Sequence, residues 1–255
     1  MWTRRGDALI HARVTGEGRT VAFANSLGTD LRLWDDVLDR LDCRAVRWDM
    51  RGHGLSAEAP GSIGDHAADL AHLLDLHAPD GAVVVGVSVG GLVAQALAAA
   101  RPDLVRGLVL SNTGLRIGTG AVWAERVAAV EAGGIAAISD AILDRWFSKP
   151  WRAANADAVE GWRTMVERQS ARGYADLARA IAAADLTASA GAIAVPTLCI
   201  GGDEDGATPP EVVRALGAAI PGAGVEILAP CGHLPMVEMP ERFASHVAGL
   251  VERAS

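Results

Sequence analysis

Six short apolar runs, rich in β-branched residues, recur along the chain with helical periodicity between them. They are TVAFANS (20–26), CRAVRWDM (43–50), GAVVVGVS (81–88), VRGLVLSNT (105–113), PTLCIGGDE (196–204) and GVEILAPC (224–231). Strands this short, alternating with helices, predict an α/β fold: a mostly parallel central sheet with helices on both faces. The opening DALIHARVTGEG alternates apolar and polar residues and ends in a glycine turn, so it adds an antiparallel edge strand or hairpin. Helices are expected in LWDDVLDRL, IGDHAADLAHLLDLH, GGLVAQALAAARP, PPEVVRALGAAI and MPERFASHVAGLVERA.

One segment breaks the alternation. Residues 117–185 contain no convincing strand, only amphipathic helical material, and hold Trp123, Trp146, Trp151 and Trp162, four of the seven tryptophans. An all-helical insertion between two parallel strands predicts a cap over the C-terminal edge of the sheet, where open α/β sheets bind ligands. The expected division is therefore a core of residues 1–116 and 186–255 with a helical cap of 117–185, built as one integrated unit.

Composition narrows the partners. A chain of 255 residues buries enough apolar surface to need neither disulfides nor a structural metal. Three cysteines, Cys43, Cys199 and Cys231, are odd in number and far apart, which fits reduced thiols and a cytoplasmic setting. No apolar run reaches the ~18 residues of a membrane span, and the N-terminus shows two arginines without the apolar stretch of a secretory signal. The net charge of −8 includes a single lysine, Lys149, so nucleic acid is not expected as a partner. In that negative field an anionic small-molecule substrate needs a local arginine.

The chemistry centres on Gly86-Val87-Ser88-Val89-Gly90, a G-x-S-x-G pattern that follows a strand and opens a helix. A serine on such a strand-to-helix elbow is exposed as a nucleophile. The flanking glycines avoid clashes, and the next amide, Val89 N–H, points at a developing oxyanion. A structural serine in a tight turn is the competing reading. A nucleophilic serine needs a base and an orienting acid, in the order Ser, Asp or Glu, His. Of the two histidines downstream, His246 lies in a helical pattern, whereas His233 follows the last strand in the loop APCGHLPMVEMP, which makes it the candidate base. The loop SNTGLRIG offers no carboxylate, so the acid falls in GGDEDGATPP, with Asp205 preferred over Asp203 because it lies further past the strand end. The second oxyanion donor is expected from Leu27 N–H in NSLGTDLRLW, with Asn25 or Ser26 as loop-capping alternatives. No metal site is expected.

The segments FANSLGTDLRLWDDVLDRL, RWDMRGHGLS, VVVGVSVGGLVAQALAA, LVLSNTGLRIGT and GDEDGATPP together resemble the 3-oxoadipate enol-lactonases of the α/β-hydrolase superfamily, from about residue 20 onward. The resemblance implies an α/β-hydrolase fold, the nucleophile Ser88, the acid Asp205, the base His233, and an oxyanion hole from Leu27 and Val89. It also implies opening of an enol-lactone to 3-oxoadipate in the breakdown of aromatic compounds, without a cofactor. In the same superfamily RGHG shapes a loop, so His53 is read as structural. For the substrate, Arg116 is the expected carboxylate clamp, since a guanidinium grips a carboxylate with two hydrogen bonds. Trp123 and Trp146 are expected to line the cap, Met236 to make the rim apolar, and Val89 to narrow the pocket. Rival readings are a carboxylesterase or another hydrolase acting on an ester, thioester or C–C bond, perhydrolase or haloperoxidase activity, and a non-catalytic binding protein.

Overall fold

The structure, a computed structural model, describes residues 1–254. Eight strands form one sheet: β1 (Trp2–Arg5), β2 (Ala8–Thr15), β3 (Thr20–Ala24), β4 (Arg44–Trp48), β5 (Ala82–Val87), β6 (Val105–Ser111), β7 (Thr197–Gly202) and β8 (Gly224–Leu228). Their order is β1-β2-β4-β3-β5-β6-β7-β8. The β1–β2 hairpin and the β2–β4 pairing are antiparallel, and the pairings from β4 through β3 to β8 are parallel. The expected α/β-hydrolase architecture is thus present, with the N-terminal hairpin at one edge.

All six expected strands form, and each stops short of its apolar run at the C-terminal end. The residues left over include Asn25, Ser26, Asp49, Ser88, Asn112, Asp203 and Cys231, where the chain leaves the sheet. Every residue of β5 is buried, because helices cover both faces of the sheet and a central strand has no solvated side to mark with polar residues.

The helices are α1 (Asp35–Leu38), α2 (Ile63–His77), α3 (Val89–Ala100), α4 (Gly120–Gly133), α5 (Ser139–Trp146), α6 (Lys149–Ala154), α7 (Ala156–Glu167), α8 (Ala171–Ala183), α9 (Thr187–Ala190), α10 (Pro210–Ala219), α11 (Pro235–Glu238) and α12 (Pro240–Arg253). The helix expected in LWDDVLDRL is instead a 3-10 turn, Leu31–Trp34, followed by the single turn α1. Trp34 is tied back to Asn25 through its indole N–H (2.7 Å), which keeps this stretch against the end of β3. The segment between β6 and β7 is helical, α4 to α9 with a 3-10 turn at Ile135–Ile138. It meets the loop after β4 where Gly54 N–H donates to Gln169 Oε1 (2.8 Å).

That loop, DMRGHGLS, is organised by two buried carboxylates. Asp49 accepts from Leu31 N–H (2.8 Å) and Leu55 N–H (3.0 Å) and faces His11 Nδ1 (2.8 Å). Asp69 on α2 receives both Nε and Nη2 of Arg51 and, from β1, Nε of Arg5. His53 is buried, with Nδ1 3.1 Å from the Arg51 carbonyl, so it belongs to the loop and not to the cavity described below.

His66 on α2 is buried beside Trp48, and burial pushes its pKa down to about 4 although Asp69 acts the other way. The unfolded chain therefore takes up this proton first. The stability contributed by neutral His66 is complete above the ordinary histidine value and falls as pH drops from about 6.5 toward about 4. Urea unfolding should lose roughly 3 kcal/mol through this residue across that window. A His66→Leu variant should show a correspondingly flatter dependence, and an unchanged slope would refute the assignment.

Candidate active site

The position of the site follows from the strand order. The chain runs from β3 to β4 in one direction and then crosses to β5 on the other side, so the connections leaving β3 and β5 diverge and open a crevice at their C-terminal ends. Leu27 lies just past β3, and Ser88 just past β5.

Ser88 has φ 58° and ψ −120°, a conformation that costs a non-glycine residue on the order of 1–3 kcal/mol. The surroundings hold it there. Ser88 N–H donates to the Ser111 carbonyl (2.9 Å), and its own carbonyl accepts from Gly91 N–H (2.9 Å) and Thr113 Oγ1 (2.8 Å). The glycines are required by close approach: a Cβ on Gly86 would lie 2.3 Å from the Gly90 carbonyl oxygen, and one on Gly90 would lie 2.1 Å from that of Ala24. The second contact brings the N-terminus of α3 against the end of β3, beside the Leu27 turn. Among the described residues, neither Leu27 N–H nor Val89 N–H donates a hydrogen bond to a protein acceptor. Asn25 is committed elsewhere, to the Trp48 carbonyl (2.7 Å) and the Trp34 indole, which makes it the brace of this turn.

Asp205 and His233 meet from the loops after β7 and β8. His233 Nδ1 lies 2.8 Å from Asp205 Oδ2. An ionised carboxylate only accepts, so the proton is on Nδ1 and Nε2 is left as the acceptor. The same carboxylate oxygen accepts from Asn112 Nδ2 (2.8 Å) and Thr208 Oγ1 (2.7 Å), while Oδ1 accepts from Ala207 N–H (2.7 Å) and Thr208 N–H (3.0 Å). Burial raises the Asp205 pKa, but the neighbouring imidazole and these hydrogen bonds outweigh it and hold the carboxyl below its usual range. Asp203, the alternative acid, instead accepts from Cys231 N–H (2.9 Å) and pins the two loops together.

Ser88 and His233 open into one cavity of about 230 Å³, together with Ser26 and Leu27. The helical segment supplies the opposite wall: Trp123 and Arg126 from α4, Ile142, Arg145 and Trp146 from α5, and Tyr174 from α8. Trp123 and Trp146 therefore lie where expected. Three other expectations fail. Arg116 is exposed and ion-paired with Asp185, outside the cavity, because its loop turns outward before α4 begins. Met236 is fully buried in α11 beneath the His233 loop and forms no rim. The Val89 side chain is buried in the core, so it does not narrow the cavity.

Sequence reasoning passed over Arg126, Arg145, Asn112 and Thr208. Arg126 sits one helical turn from Trp123, with its guanidinium carbon 4.9 Å from the Trp123 ring centroid, and neither Arg126 nor Arg145 is salt-bridged among the described residues. The three-residue spacing from a cap tryptophan was the available signal for Arg126. Asn112 came from the SNTG loop, which was set aside because it lacks a carboxylate. The structure uses that loop to donate to a carboxylate.

Residues 10–246 match the Alpha/beta hydrolase family, and the chain belongs to it. Within that family it is similar to 3-oxoadipate enol-lactonase 2 of Acinetobacter baylyi, with 31% identity over 91% of this chain and 88% of the relative. The enol-lactonase from Burkholderia xenovorans LB400 superposes with a TM-score of 0.95 at 33% identity, covering 99% of this chain and 100% of its own. A thermophilic esterase from Thermogutta terrifontis gives a TM-score of 0.91 at 27% identity, over 97% and 94% of the two chains. Among the described residues no helix is long and apolar enough to cross a membrane.

Loss of one donor to Asp205 should weaken the hold on His233. A Thr208→Val variant is expected to lower kcat/KM for p-nitrophenyl acetate by about 10- to 100-fold, the range for a hydrogen bond to a charged group. A rate within twofold of wild type would show that this donor has no part in orienting the imidazole.

Proposed function

We propose that this hydrolase is a serine enzyme that opens the lactone ring of 3-oxoadipate enol-lactone to 3-oxoadipate, within the β-ketoadipate route of aromatic breakdown and in the cytoplasm. Two arginines without acidic partners, Arg126 and Arg145, on the cavity wall facing Ser88 and His233 carry this reading. In a chain of net charge −8, two guanidinium groups at a cavity with no carboxylate among the described residues salt-bridged to them favour a substrate that brings its own carboxylate. The enol-lactonase relatives support the same substrate class.

The chemistry needs only these residues and water. His233 Nε2 takes the proton from Ser88 Oγ as the oxygen attacks the lactone carbonyl. The oxyanion is held by the Leu27 and Val89 amides, donors whose loss in such sites costs about 3–4 kcal/mol each. The ring C–O bond then breaks, and the enolate, still tethered in the acyl-enzyme, takes the proton from His233 Nε2. Water next attacks the acyl-enzyme with His233, neutral again, as base; the proton passes to Ser88 Oγ as the acyl C–O bond breaks, and the enol of the released product becomes the ketone. Arg126 and Arg145 replace Arg116 as the clamp on the distal carboxylate, and the Trp123, Ile142 and Trp146 side chains exclude water around the ring.

A carboxylesterase acting on neutral esters is the second reading, favoured by the apolar part of the same wall and by the Thermogutta terrifontis relative. Steady-state kinetics separates the two. The enol-lactone should be turned over with a kcat/KM well above that for short p-nitrophenyl esters, and Ser88→Ala should abolish both. Arg126→Gln and Arg145→Gln should each raise KM for the lactone by about 10-fold or more, the loss expected for a charge-assisted hydrogen bond. Neutral ester hydrolysis in these variants should stay within about threefold. Rapid ester turnover with no lactone activity would reject the lactonase assignment.

A further inference from the structure

The backbone around His233 is held from a direction that the reaction itself does not require. The carbonyl of Trp146, the last residue of α5, accepts from both His233 N–H (2.8 Å) and Leu234 N–H (3.2 Å). Two residues on, Ser148 N–H and Ser148 Oγ donate to the Glu238 carboxylate (3.1 and 2.5 Å), and Gly232 N–H donates to the same carboxylate (2.9 Å). Lys149 N–H donates to Glu204 Oε2 (3.0 Å), in the loop that also carries Asp205. The corner between α5 and α6 is therefore stitched to both loops that carry the acid and the base.

Gly232 shows how tightly these groups converge. A Cβ there would lie 2.6 Å from the Trp146 carbonyl oxygen, 2.7 Å from Glu238 Oε1 and 2.8 Å from Ser148 N. No side chain fits between the histidine loop, the corner and the carboxylate. Glu238 is the one member of the cluster that bonds to both sides. It lies on α11, only five residues after His233, yet its partners span the histidine loop and the helical insertion. Burial raises its pKa despite these hydrogen bonds, so the site bears an electrostatic cost to keep the carboxylate at this joint.

We infer that Glu238 is a positioning residue that locks the His233 loop to the Trp146–Lys149 corner, setting the base and one wall of the cavity as a unit. The inference rests on the reading of His233 as the base. The Trp146 backbone holds the histidine and the Trp146 side chain faces the substrate, so a loosened joint moves both. The insertion cannot swing away at this end without releasing the base.

The test uses Glu238→Ala and Glu238→Gln in the full chain, each measured well below its own Tm. Two readouts are taken: kcat and KM for p-nitrophenyl acetate, and the rate at which a fluorophosphonate probe labels Ser88. Glu238→Ala should lower kcat and the labelling rate by about 10- to 100-fold, as for a catalytic group misplaced by ~1 Å. KM should stay within about threefold, and prolonged labelling should still reach one probe per chain, which shows that the slower rate belongs to folded enzyme and not to a smaller folded fraction. Glu238→Gln should recover most of the rate, since its amide oxygen can accept from Gly232 and Ser148 while its NH2 donates to Ser148 Oγ. If Glu238→Ala does not fold, Gly232→Ala decides the matter, because its methyl group forces the same joint apart and should give the same fall in kcat. A folded Glu238→Ala or Gly232→Ala with kcat within twofold of wild type overturns the inference, as does a Glu238→Gln as slow as Glu238→Ala. Failure of the wild-type chain to label at all would instead overturn the serine-hydrolase reading.

Discussion

The packing of Gly90 against the end of β3 is the constraint on which the site depends. The first turn of α3 can approach the Ala24 carbonyl only because Gly90 has no side chain, and this approach sets the Ser88 elbow beside the Leu27 turn. Without it the N-terminus of α3 would stand off from the end of β3 and from the Leu27 turn. The strain at Ser88 is maintained by the sheet, through the Ser111 carbonyl, and by the loop after β6, through Thr113.

Around this point the fold uses charge where an apolar core cannot shape a loop. Asp49 and Asp69 are both buried, and each gathers donors from distant parts of the chain. A buried carboxylate left without such donors would be strongly destabilising, so each has meaning only as the centre of its network. The Asp205 carboxylate follows the same rule, with five donors from the loops after β6, β7 and β8. The loops that carry chemistry are therefore stiffened by hydrogen bonds aimed at a few anions, and the sheet only brings their ends together.

The parts of the molecule legible in its sequence were those with local causes. Strand runs could be read because a doubly covered strand is apolar throughout, and α2 because IGDHAADLAHLLDLH repeats its apolar residues at helical spacing; the structure adds a capping box at Ser62 and Asp65. Ser88, Asp205 and His233 could be ordered because each follows a strand and the sheet ends all face one way. The strands end where their apolar runs give way to polar residues such as Asn25, Asp49, Ser88 and Asn112, which leave the ladder for the loops. Arg116 lies close in sequence to the sheet edge, yet one turn of the loop directs it to Asp185 and solvent. Arg126 and Arg145 lie on helices whose inward faces depend on how α4, α5 and α8 pack together, which no period in the sequence records.

By itself the sequence determined the alternation of strands and helices, the elbow with its glycines, and the order of Ser88, Asp205 and His233, each just past a strand end, because these depend on neighbouring residues and on strand direction. Only the tertiary structure decided which arginines face the cavity, that Asn112 and Thr208 donate to Asp205, and that Glu238 joins the histidine loop to the helical insertion. Those contacts link segments far apart in the chain or set by loop geometry, and they form only once burial makes an unpaired polar group costly.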